Sequence, residues 1–240
     1  MAPKNSKSPS TKPRVIAGWK RVAWPGLRKL PLKISDASLP EPMQQISQDV
    51  LKHAHAIAKK HKLLSIEDMD NKIQFKLRST IPTLLIIAPW SSERTPIWEK
   101  AVQEMATAVA ELSKSSSISE GDIHVEIITP ELEQGIYICS VEDTSLVSTW
   151  DLVCGKINEC LQSFKATKDC VSLLAFFQYG VIPIAEDNPP TIYISVFDES
   201  DETRWYEVIA DVKTVLESVE GWGHVKVHME HNHNWQDIFD

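Results

Sequence analysis

The residues best suited to chemistry stand close together near the C-terminus. The segment HVKVHMEHNHNW (224–235) holds His224, His228, Glu230, His231 and His233. Imidazole nitrogens and carboxylate oxygens are ligands that zinc and manganese accept. The alternation of Val225, Val227 and Met229 with Lys226 and His228 is that of a strand. His228 and Glu230 then share a face, and His231 and His233 can curl back from the strand exit. His228, Glu230 and His231 are the candidate metal site, and a metal-dependent hydrolase is the alternative function they would serve. The set lacks the HExxH helical spacing that makes a metal motif specific. A polar strand exit competes with it, and no cofactor is assigned.

Other chemical groupings are less specific. FDESDE (197–202) places Asp198, Glu199, Asp201 and Glu202 at a strand-to-helix junction. Carboxylates there can hold magnesium, but they also complement a helix N-terminus. The matching earlier loop, APWSSERT, has only Glu93, so the acids are not part of a repeated feature. Ser91 and Ser92 precede a helix without a G-x-S-x-G elbow, and no phosphate-cradling glycine motif occurs among the eight glycines. His53 and His55 are two apart on a helical pattern and point away from each other, which leaves His61 without a metal partner. Cys139, Cys154, Cys160 and Cys170 form no CxxC pair and read as small buried hydrophobes in a reducing compartment. No catalytic residue is assigned, and the protein is not expected to be an enzyme.

The elements that position these residues are written repetitively. IPTLLIIAPWSSERTPIWEKAV (81–102) is echoed by PPTIYISVFDESDETRWYEVI (189–209). Trp98, Trp150 and Trp205 each head a helical pattern with apolar residues at +3, +4, +7, +11 and +14. After Trp205 these are Val208, Ile209, Val212, Leu216 and Val219, which form one buried stripe. Thr95 followed by Pro96 predicts an N-cap with proline in the first turn, and Asp201 with Thr203 predicts another cap. Strand-like segments flank each helix: 83–88 and 123–128, 136–141 and 171–179, 191–197 and 225–229. The expected class is α+β, with three successive β-α-β units in one mixed sheet and helices on one face. The first six elements match a ferredoxin-like βαββαβ arrangement, and a further βαβ unit follows. The tryptophans then serve as packing, and strand aromatics such as Tyr137, Phe176, Phe177 and Tyr193 lack the RNA-binding signature.

Residues 1–33 carry nine lysines and arginines and no acid, whereas the whole chain is at −8, so a basic arm precedes an acidic body. Six prolines within residues 1–40 predict a disordered arm there, with VIAGWKRVAWPGLRKL as a segment able to dock onto a surface. Such an arm could reach nucleic acid or its own body. PEPMQQISQDVLKHAHAIAKKHK predicts a helix over 41–62, with a connector to residue 80 and the α/β domain over 81–235. No segment approaches the roughly 20 apolar residues of a membrane span, and the N-terminus lacks a secretory apolar region. The expected location is intracellular and cytoplasmic, with nuclear or organellar targeting by the basic arm as the alternative.

The runs PPTIYISVFDESDETRW and VKVHMEHN, with PTLLIIAPW and IHVEIITPEL, resemble an α/β module of uncharacterised filamentous-fungal proteins. In some of them the module precedes a region similar to a trypsin-like protease. The resemblance spans about residues 80–235 and brings no active-site residue with it. It implies a fungal origin and a regulatory or recognition role beside an effector, although this chain stops where such an effector would begin. The expected function is a non-enzymatic protein-interaction or regulatory module with a protein partner. A small-molecule ligand is left open.

Overall fold

The computed structural model describes residues 12–30, 32–114, 117–133 and 135–232. The expectations for Lys4, Lys7 and His233 concern residues outside that set. The chain is α+β, with mixed sheets and packed helices, but the nine strands among the described residues divide between two sheets where one was expected.

Residues 16–24, expected within a disordered arm, form a β-hairpin of β1 (Ile16–Gly18) and β2 (Arg21–Trp24). Prolines lie outside this short pair, and its buried Val22 and Trp24 pack into the core of the first sheet. Helix α1 (Glu41–Lys60) follows, with proline in its first turn, where a missing N–H costs nothing. Its predicted stripe holds: Met43, Val50 and Ala54 are buried, and Ile46 and Ile57 pack at the edge. A short turn of helix, α2 (Met69–Lys72), leads into β3 (Ile73–Arg78) and β4 (Ile81–Ile87). Helix α3 (Thr95–Ser113) then crosses over to β5 (His124–Ile128), parallel to β4. The order of the first sheet is β1-β2-β5-β4-β3. Strands β1, β2 and β3, all before residue 81, therefore belong to the first sheet.

The second sheet comprises β6 (Tyr137–Ser140), β7 (Val171–Gly180), β8 (Pro190–Val196) and β9 (Lys226–His231), in that spatial order. Helix α4 (Thr144–Ser163) joins β6 to β7, and α5 (Trp205–Glu217) joins β8 to β9. β6 and β7 are antiparallel, so the middle unit is not a parallel crossover. The parallel pairs β4–β5 and β8–β9 are direct neighbours, with no strand inserted as a split βαβ requires.

The sequence echo falls on β4–α3 and β8–α5, within two runs of like order, β3-β4-α3-β5 and β7-β8-α5-β9; a helix precedes each, with α2 inserted before β3. Thr83 of β4 pairs with His124, and Thr191 of β8 pairs with Lys226, which puts Glu126 and His228 at equivalent positions. Trp98 and Trp205 are buried at equivalent helix starts, whereas Trp150 is half-buried against Phe176 and Trp222 at 5.5 and 6.1 Å. All three indoles pack as the helical phase requires. No helix among the described residues is long and apolar enough to cross a membrane.

Candidate functional site

β9 delivers His228 and Glu230 to the face of the second sheet that carries no helices, because Val227 and Met229 alternate into the helix-covered core. His228 Nε2 lies 2.9 Å from Glu230 Oε2 and 3.1 Å from the Tyr179 hydroxyl, and the Tyr193 hydroxyl donates to Glu230 Oε1. Burial works to raise the Glu230 carboxyl, but His228 and the two tyrosine hydroxyls outweigh it and hold the carboxyl below its ordinary value. Burial, reinforced by Glu230, pushes the Tyr179 hydroxyl far up. His231 leaves on the other face, its Nε2 3.0 Å from the Ser200 carbonyl and its ring 4.7 Å from that of Trp205. The structure thus unites two of the three predicted residues and separates the third. Among the described residues, no group of three His, Cys, Asp or Glu side chains is placed to hold a metal ion.

The acidic segment 198–202 is dispersed into structural contacts. Asp198 pairs with Lys29, and Asp201 accepts from the Thr203 N–H at 3.0 Å. Glu202 forms a buried two-point ion pair with Arg21, with Arg21 Nε 2.8 Å from Glu202 Oε1. Gly18 packs against this pair: a Cβ there would fall 2.3 Å from Glu202 Oε1. Thr95 is not a cap. It is the first residue of α3, its hydroxyl accepting from Trp90 Nε1 and lying 3.3 Å from the Tyr206 hydroxyl.

These contacts bind the tip of the β1–β2 hairpin to the second repeat. Trp19 is buried and meets Trp90 and Tyr206 edge-on at 4.8 and 5.4 Å. Lys20, in a left-handed backbone conformation at φ 57°, sets its ammonium 5.6 and 5.9 Å from the Trp19 and Trp90 rings. A cleft of about 380 Å³ opens here, bounded by Trp19, Lys20 and Trp90 on one side and by Tyr179, Lys226 and His228 on the other. Burial holds the Lys20 ammonium below the ordinary lysine value, and Lys213 and Lys226 add to that against the opposing pull of Glu131, 3.8 Å away. The equivalent face of the first sheet is filled instead: Glu126 is buried between Arg28 and Arg78, with Arg28 Nε at 2.9 Å.

A second exposed feature is the outer edge of the second sheet. Among the described residues β6 pairs only with β7, and Tyr137 and Ile138 are each 40% exposed. The helical turn Ala185–Asp187 packs against β6, and Ile182 and Ile184 before it are exposed. Glu142 and Asp143 follow the strand, and Glu186 and Asp187 lie in that turn. Glu142, Glu186 and Asp187 have no cationic partner among the described residues. Partial burial, with Glu186 and Glu142, pushes the Cys139 thiol of β6 up.

Sequence reasoning missed Trp19, Lys20, Trp90 and Lys213 as site residues, because the cleft draws them from distant elements with no common spacing. The docking-competent segment around Trp19 was the one available signal. No family model matches the chain, and no curated protein matches it.

Proposed function

We propose that the protein is a non-enzymatic interaction module that takes an extended basic segment of a protein partner along β6. The observation that carries this is the unpaired outer edge of β6. A terminal strand presents a row of main-chain donors and acceptors, a template for an added strand. Tyr137, Ile138 and Ile184 offer apolar contact, and the unneutralised acids select basic side chains. The candidate hydrolase residues do not support catalysis in the same way, because His228 and Glu230 are occupied with Tyr179 and Tyr193 while His231 faces elsewhere. An intracellular, cytoplasmic setting fits four cysteines that are all unpaired. The resemblance to fungal modules beside effectors fits a recognition role.

The test is fluorescence anisotropy of a labelled peptide of alternating lysine and valine against the full chain. A glutamate–valine peptide of equal length is the control. The basic peptide binds, salt weakens it, and Ile138→Lys weakens it about tenfold by placing a charge on the edge, a loss of about 1.4 kcal/mol. Equal binding of both peptides, or an unchanged affinity in Ile138→Lys, refutes the proposal. A dimer that Ile138→Lys dissociates would assign the edge to a second copy instead.

A further inference from the structure

We infer that the cleft between the two repeats is a binding site for a small organic anion carrying a flat ring. This site does not depend on the β6 reading, although Ile182 borders both. Three observations support the assignment.

The first is charge. The protein is at −8 overall, yet Lys20, Lys213 and Lys226 line this cleft against the single carboxylate Glu131. Glu131 is engaged by Lys20 and also accepts from the Thr129 hydroxyl. Lys213 and Lys226 have no carboxylate partner among the described residues, and both are exposed. Three ammonium groups acting on one another in an acidic protein form a local well for negative charge. An anion there would relieve the repulsion that Lys213 and Lys226 exert on Lys20.

The second is shape. Trp19 and Trp90 supply ring surface, and about 380 Å³ is within the range of small-ligand sites. A flat ring set against the indole surface of this cleft would turn its charged group toward the lysines.

The third is unmade hydrogen bonding. Two residues lining the cleft hold buried polar atoms without a partner among the described residues: Trp19 Nε1 and His228 Nδ1. Trp19 and His228 are only 3% and 2% exposed, so a ligand reaches these two atoms only where the cleft wall yields. The cleft also borders β9, the other terminal strand of its sheet, whereas the equivalent β5 is covered by β2. The second repeat thus leaves open the place that a strand closes in the first.

Isothermal titration of the full chain with four probes tests this: 2-naphthoate, 2-naphthyl phosphate, neutral 2-naphthylmethanol and ringless acetate. The two ring anions separate carboxylate from phosphate chemistry. At least one ring anion binds, the neutral alcohol binds at least about tenfold more weakly, and acetate weaker still, as expected for loss of a charge-assisted contact. Lys213→Met and Lys226→Met, both exposed and therefore compatible with folding, each weaken the ring anion several-fold. The inference is overturned if no ring anion binds up to its solubility, if the neutral alcohol binds as well as the anions, or if Lys213→Met and Lys226→Met both bind with unchanged affinity.

Discussion

Removing the Glu202 carboxylate tests how the hairpin is held to the second repeat. Arg21 and Glu202 are 181 positions apart, and their side chains are 4% and 9% exposed, so solvent screening is slight. Glu202→Ala strands a guanidinium in the interior, a change that costs about 3–5 kcal/mol when no other partner remains. Arg21 Nη1 keeps its 2.7 Å bond to the Arg28 carbonyl, which places the loss near the lower bound, about 3 kcal/mol. For a chain of this size that is a fall of roughly 6–12 °C in Tm. Urea unfolding followed by tryptophan fluorescence measures it, and the double variant Arg21→Met with Glu202→Met should recover most of the loss. A cost below about 1 kcal/mol, the level of an exposed ion pair, would refute the claim that this contact is buried and joins the repeats.

Gly18→Ala should reproduce part of the same loss, because its Cβ would displace Glu202 from Arg21; thermal unfolding alongside Glu202→Ala should show the two effects to be non-additive. Trp98→Ala removes a fully buried indole at the head of α3 and should cost about 3–5 kcal/mol by urea unfolding, more than truncation of the half-buried Trp150. Acid should destabilise the protein through Glu126 and Glu230, whose folded values lie below the ordinary 4.5. The stabilisation is complete above the unfolded value and is lost as pH falls from about 4.5 through the depressed folded values. Urea midpoints against pH should show this, with a shallower decline in Glu126→Gln.

Much of the local structure could be read directly from the residues. The apolar stripes behind Trp98, Trp150 and Trp205 identified three helices, and the flanking β-branched runs identified their strands. What local pattern cannot supply is pairing between distant strands. β6–α4–β7 reads like the units on either side of it, yet β6 runs antiparallel to β7, and the strands separate into two sheets. The hairpin was hidden because its strands are three and four residues long, lie between prolines, and turn at Trp19–Lys20 without the Asn-Gly signal. His228 and Glu230 were legible as a same-face pair from alternation alone, but the tyrosines that engage them come from β7 and β8. Thr95 had the sequence of a cap and serves the repeat junction instead, a role set by the tertiary position of Tyr206.

The most direct measurement is amide hydrogen exchange along β6 with and without the lysine–valine peptide. The account predicts that alternate amides of Tyr137–Ser140, those directed away from β7, exchange rapidly in the free protein and slow markedly when the peptide is bound, while those of β4, central in its sheet, do not change. Protection of those outward amides already present in the free protein, or peptide-induced protection at β9 and not β6, would contradict it.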